Sequence, residues 1–133
     1  MARKFLGIDY GEKRVGIAVS DDEETIAFPK VVLENDRELV PKIADMCRDE
    51  KVSAVVLGES ADFKGEDNPI MGKIRDFKAV LEKETGLPVF FEPEYLSSAQ
   101  AERIQGKNSS LDASAAAIIL QSFLDRTRHE STN

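Results

Sequence analysis

The sequence predicts an α/β domain, a mixed five-stranded sheet with helices on both faces. Three observations carry that expectation. Short, β-branched apolar runs recur along the chain, beginning at Phe5-Leu6 and returning at Val15–Val19, Val31–Leu33, Val52–Leu57 and Val89–Phe91. The first three are separated by short polar turns, as in an antiparallel meander. The later ones alternate with segments of helical period, as in parallel strands joined by crossover helices.

Taken in order, Phe5, Leu6 and Ile8 form a nearly unbroken apolar run, the mark of a strand covered on both faces, and Asp9 interrupts it. Tyr10-Gly11-Glu12-Lys13 is a turn, with Gly11 free to take a positive φ. Arg14 to Ser20 returns as a second strand, in which Val15, Ile17 and Val19 alternate with Gly16 and Ala18. Thr25 to Leu33 reads as a third strand, and Pro29 places it at an edge or a bulge. Residues 36–50 read as a helix with Leu39, Ile43 and Met46 on one stripe, its regular part starting with Pro41 at the first position. Val52 to Leu57 is a buried parallel strand ending at Gly58. A polar loop follows, from Glu59 to Asn68. Asn68-Pro69 opens a helix with Ile70, Ile74, Phe77 and Leu81 on one face and Lys73, Arg75 and Lys78 as its basic residues; Gly86 stops it. Val89 to Phe91 begins the fifth strand. Ser97 with Gln100 is a capping box for a short helix that ends at Gly106. A last helix spans about Leu111 to Arg126, with Leu111, Ala115, Ile118, Ile119 and Phe123 as its apolar face. The resulting order, β-β-β-α-β-α-β-α-α, is that of the ribonuclease H-like fold.

At 133 residues, 41% of them hydrophobic, the chain is expected to form one domain over residues 1–126. Residues 127–133 form a polar tail, expected to be disordered. No apolar run reaches membrane-spanning length, so no membrane partner is expected. A single cysteine, Cys47, rules out an internal disulfide and fits a reducing, cytoplasmic setting. The lone histidine, His129, lies in the tail. Triads, Cys-His pairs and histidine metal clusters are therefore not expected, and any catalysis falls to carboxylates, Lys, Arg, Ser or Tyr. The formal charge of −7 argues mildly against a protein that merely coats nucleic acid. It is compatible with a nuclease whose acidic site is covered by cations when it works.

Three acids fall where open α/β sheets place their sites, at strand ends and helix starts. Asp9 ends the first strand, Glu94 follows the fifth, and Asp112 is in the first turn of the last helix. Clustered carboxylates repel one another, and bound cations relieve that repulsion. Hard divalent ions such as Mg²⁺ or Mn²⁺ take oxygen ligands and keep water positions open. Two such ions, about 3.5–4 Å apart, activate a water and stabilise the leaving oxygen in phosphodiester hydrolysis. Each acid also has a plainer role open to it: Asp9 as a turn residue, Glu94 as a solvated loop acid, Asp112 as a partner of the helix dipole. Glu59 and Glu92 lie near strand ends as well and compete for the remaining ligand positions.

The stretch FLGIDYGEKRVGIAVSD, residues 5–21, resembles the opening signature of the YqgF family, also called RuvX. VLGESADFKG, residues 56–65, stands where the family has a V-V-G-L-P-L-N-M-D-G loop and keeps the spacing of Gly58 and Gly65. PEYLSSAQAER, residues 93–103, resembles D-E-R-L-T-T-x-x-A-E-R, and DASAAAIILQ, residues 112–121, resembles D-x-x-A-A-x-x-I-L-Q. The resemblance covers nearly the whole chain. It implies a metal-dependent, ribonuclease H-like nuclease with Mg²⁺ or Mn²⁺ as cofactor, acting on the 5′ end of the small-subunit ribosomal RNA precursor. It carries the family's acids onto Asp9, Glu94 and Asp112, and the arginine after the turn onto Arg14.

The chain departs from that pattern at Pro93 and Tyr95, where the family has an aspartate and an arginine beside the glutamate, and at Ser60 and Lys64 in the middle loop. Ser97 and Ser98 replace two threonines and keep the hydroxyls. These changes bear on substrate contacts more than on the metal ligands. Phosphates must be met by local cations, with Lys13, Arg14, Lys64 and Arg103 as first candidates and Arg3, Lys4 and Lys73 behind them. The expected partners are an rRNA precursor or branched DNA, ribosomal particles, and at most a second copy of the chain. Cleavage of DNA four-way junctions and a non-catalytic nucleic-acid-binding module are the alternatives. An actin-like ATPase, suggested by G-I-D-Y-G, would need a second domain that 133 residues cannot supply.

Overall fold

A computed structural model describes residues 3–59, 70–93 and 111–131. These form strands β1 (Lys4–Asp9), β2 (Arg14–Ser20) and β3 (Ala27–Glu34), helix α1 (Leu39–Asp49), strand β4 (Val52–Glu59), helix α2 (Ile70–Thr85), strand β5 (Val89–Pro93) and helix α3 (Leu111–Ser131). The sheet has the order β3-β2-β1-β4-β5. β1, β2 and β3 make the antiparallel meander, with Leu6 opposite Val19 and Asp9 opposite Gly16. β4 lies parallel to β1 on its other side, and β5 parallel to β4. Strand order thus reverses at β1, which puts the end of that strand at a switch point.

Each face of the sheet buries its own apolar set. Leu6, Ile8, Val15, Ile17, Val55, Leu57 and Val89 pack under α1 and α2, which contribute Leu39, Ile43, Cys47, Met71, Ile74, Phe77 and Leu81. Phe5, Ala18, Ala54 and Val56 pack under Ala116, Ile119, Leu120, Phe123 and Leu124 of α3. Full burial of each large aliphatic side chain contributes about 1.5–3 kcal/mol. Gly7 lets α3 lie close, because a Cβ built there would stand 2.7 Å from Leu120 Cβ and 3.0 Å from the Ala116 carbonyl oxygen. Phe123 packs on Phe5 at 5.6 Å between ring centroids. The helix therefore runs antiparallel to β1, its start directed toward the Asp9 end.

The structure moves several expected boundaries and faces. β3 starts at Ala27 rather than Thr25 and runs to Glu34; a register shift between Ile17 and Ala18 sets Pro29 opposite Ala18, the expected edge irregularity. α1 starts at Leu39, so Pro41 is its third residue, still within the turn whose N–H groups lack helical acceptors. Cys47 is buried on that helix, and burial pushes its thiol up to about 11. Gly86 ends α2 with φ +70°. The apolar face of α3 is rotated from the expected one: Ala116, Leu120 and Leu124 are buried, whereas Ala115 and Ile118 are half-exposed. α3 also continues to Ser131, past the Arg126 expected as its end and into the segment read as a tail. The short helix expected at 97–106 lies outside the described residues.

Candidate active site

Asp9 is the last residue of the central strand, half-buried, and its neighbours on both sides are glycines. Gly16 pairs with it on β2. Leu57 pairs with Ile8, which brings Gly58 alongside on β4. Asp9 follows Phe5 and Gly7 at the strand period of two, so it belongs to the face that α3 covers. Flanking side chains that would crowd this carboxylate are missing on each adjacent strand. That cradle went unread in the sequence, although both glycines interrupt apolar runs, a sign of close approach to a strand.

The turn after Asp9 is fixed by a residue that sequence reasoning passed over. Asn35, just past β3, donates from Nδ2 to the Gly11 carbonyl at 2.8 Å and from its backbone N–H to the Lys13 carbonyl at 2.9 Å. Gly11 does not use its freedom to take a positive φ. It is required by crowding, since a Cβ there would lie 2.4 Å from the Arg14 carbonyl oxygen. Tyr10 is held against Phe77 of α2 at 4.8 Å. The turn carries Lys13 and leads into Arg14, both exposed, between Asp9 of β1 and its partner Gly16 of β2. Lys73, exposed near the start of α2, stands 3.9 Å from Glu12.

Other candidates are accounted for elsewhere. Lys4 is tied to Glu50 at 3.1 Å and to Asp22 at 3.9 Å, and Arg3 approaches Glu24 at 3.6 Å, both at the start of β1 away from Asp9. Glu92, considered as a further ligand, is buried and already coordinated. It accepts hydrogen bonds from Ser122 Oγ at 2.9 Å and from Arg126 at 3.2 Å (Nε) and 2.6 Å (Nη2). It ties β5 to α3. Asp112 is the second residue of α3, one turn before Ala116, on the helix end directed toward Asp9; its side chain lies outside the described residues. So do Glu94, Lys64, Arg103 and the side chain of Glu59. Among the described residues no three Asp, Glu, His or Cys side chains converge as a metal site. The site is thus placed through Asp9, the glycines beside it, and the approach of α3.

Residues 3–126 match the family model RuvX, described as Holliday junction resolvase. A protein of Maridesulfovibrio salexigens named "Putative pre-16S rRNA nuclease" is 37% identical over 135 residues, covering 92% of this chain and 98% of that protein. One of Lawsonia intracellularis with the same name is 36% identical, with 96% of each chain covered. Among solved structures, Thermus thermophilus RuvC in complex with a Holliday junction substrate superposes with a TM-score of 0.63 at 19% identity, over 94% of this chain and 96% of that one. The fowlpox virus resolvase in complex with a junction gives 0.60 at 14% identity, over 93% and 98%. These two likenesses support the ribonuclease H-like fold read from the element order. With its signature strand and turn intact, and with the match running from Arg3 to Arg126, the chain belongs to the RuvX family.

Proposed function

We propose that this protein is a cytoplasmic, metal-dependent nuclease that hydrolyses phosphodiester bonds near the 5′ end of a pre-16S rRNA. The observation that carries the reading is Asp9 at the switch-point end of β1, between Gly16 and Gly58 and on the face covered by α3. Sequence position adds Glu94, directly after β5, and Asp112, in the first turn of α3. Three carboxylates without histidine form a donor set that suits Mg²⁺ or Mn²⁺. When bound, a pair of such ions supplies an activated water and stabilises charge on the leaving oxygen. In this reading Asp9, Glu94 and Asp112 hold the ions. Lys13 and Arg14, fixed by Asn35, position the phosphodiester backbone beside them, with Lys64 and Arg103 as further contacts. The names of the relatives support rRNA as substrate, and pre-ribosomal particles as the setting.

The test is cleavage of a labelled pre-16S rRNA fragment by wild-type and Asp9→Asn protein, with Mn²⁺, Mg²⁺ or EDTA. Cutting that needs the metal and is lost in the variant supports the assignment. Equal cutting by both proteins removes Asp9 from the mechanism. RNA bound but uncut under every metal would instead favour a non-catalytic binding module. The family's own description favours a second reading, cleavage of DNA four-way junctions. Symmetric junction cutting requires two active sites, so a protein that sediments as a monomer on junction DNA would count against it.

A further inference from the structure

At the end of the α3 face away from Asp9 the surface opens into a cleft of about 700 Å³. Its wall is aromatic. Phe123 is 5.6 Å from Phe5 and stacks on Phe90 at 5.8 Å. Phe5 and Phe123 are buried, but Phe90 is 42% exposed, so one ring offers a face to whatever enters. Two guanidinium groups border the rings, Arg3 at 5.3 Å from the Phe5 centroid and Arg126 at 5.5 Å from that of Phe123. An aliphatic partner would gain nothing from these cations. A nucleobase would gain from both features, because its π-face stacks on an aromatic ring and its edge atoms accept hydrogen bonds from the Arg3 guanidinium, while Arg126 is held by Glu92. The carboxylates at the cleft argue for the base rather than the phosphate as the occupant: Glu24 faces Arg3, and Glu23 lies exposed on the rim.

We propose that this cleft binds a nucleobase of unpaired nucleic acid, stacked on Phe90 with Arg3 beside it. The proposal rests on the reading of the protein as one that acts on nucleic acid. It gives the chain a second hold on a strand whose scissile bond lies at Asp9. Phe90 pairs with Val56 and Val56 with Gly7, which sets Phe90 two residues back from Asp9 and two strands across, about 12 Å at roughly 3.3 Å per residue and 4.8 Å per strand. About four stacked nucleotides at 3.4 Å each cover that distance. A single-stranded segment flanking the cleaved bond would therefore reach the cleft along the α3 side of the sheet.

The experiment is binding of a labelled, unstructured RNA oligonucleotide in EDTA, in an Asp9→Asn background so that nothing is cut. Adding Phe90→Ala is expected to weaken binding about tenfold while leaving the salt dependence unchanged, since no phosphate contact is removed. Phe90→Leu keeps apolar bulk against Phe123 without the ring. It is expected to bind as weakly as Phe90→Ala at an unchanged melting temperature, which separates stacking from folding. Equal affinity of Phe90→Leu and its parent would overturn the cleft assignment and leave the nuclease reading untouched. A parent that binds no RNA would sink the nucleic-acid reading itself, and the cleft assignment with it. If Phe90→Ala splits a dimer while RNA affinity holds, the cleft belongs to a second copy and the proposal fails.

Discussion

Asp9 was legible because a charge in a run such as Phe5-Leu6-Gly7-Ile8 is costly enough to need a reason. Asn35 was not, because one polar residue in a polar turn looks like any other until its side-chain amide is seen donating to the Gly11 carbonyl and its backbone N–H to that of Lys13. Asn35 thus ties the β1–β2 turn that carries Lys13 and leads into Arg14. Gly11→Ala tests this. The added methyl meets the backbone of Arg14 at 2.4 Å, and backbone cannot step aside as a flexible side chain would. A loss of about 1–3 kcal/mol in urea denaturation is expected, together with weaker RNA binding. Unchanged stability would show that the turn is softer than it looks. The turn after β2 carries a separate pH dependence. The Thr25 hydroxyl, then the backbone N–H groups of Thr25 and Ile26, hold the Asp21 carboxyl below its ordinary value of 3.8. A depressed carboxylate stabilises the fold above its unfolded-state pKa and loses that contribution as pH falls through the lower, folded value. Asp21→Ala should therefore cost stability at neutral pH by an amount that shrinks below about pH 4. A gap that stays constant in acid would show that the effect does not depend on the charge of the Asp21 carboxylate.

At the scale of elements, strands were easier to read than helix faces. Runs such as Val52–Leu57 declare burial on both sides, and the meander followed by crossovers fixed the order β3-β2-β1-β4-β5 with little competition. The inward face of α3 was misjudged because Ala115, Ala116 and Ala117 offer almost no contrast around the helix. Which alanine faces Gly7 is decided by the closest approach to the sheet. The tie between β5 and α3 was also unreadable, since Glu92 and Arg126 are 34 positions apart. That tie joins the two elements next to which the proposed ligands fall in sequence: Glu94 follows β5 directly, and Asp112 is the second residue of α3. Its two halves should respond unequally. Arg126→Ala strands a carboxylate whose side chain is only 5% exposed, and about 3 kcal/mol of destabilisation is expected. Glu92→Gln keeps an acceptor for Ser122 and removes only the charge facing an arginine that is already 45% exposed, so about 1–2 kcal/mol is expected. Chemical denaturation of the two variants checks the order. If Glu92→Gln proves the more damaging, the carboxylate is holding something besides Arg126 and Ser122.

For the molecule as a whole, a net charge of −7 sets two demands in opposition. Nucleic acid would have to be approached by an acidic protein, and the carboxylates of the proposed site, gathered at one end of the sheet, would destabilise the very fold that gathers them. In the proposed reading divalent cations would resolve both, which would make metal binding and stability the same measurement. A ligand that binds only the folded state stabilises it by RT ln(1 + [L]/Kd), about 2.7 kcal/mol at a hundredfold excess over Kd. For a domain of this size that corresponds to a rise in melting temperature on the order of 10 °C. Wild-type protein is expected to show such a rise with Mn²⁺ and a smaller or equal one with Mg²⁺. Asp9→Asn should behave in the opposite way on two counts. Without metal it should melt no lower than wild type, because a repelling charge has been removed. With metal it should gain little, because a ligand has been removed. A residue that merely supported the turn would lower the melting temperature in both conditions and leave the metal increment intact. Thermal unfolding of the two proteins in EDTA and across a Mn²⁺ titration separates these cases without any substrate. An equal rise in both would place the metal, if one binds, away from the end of β1.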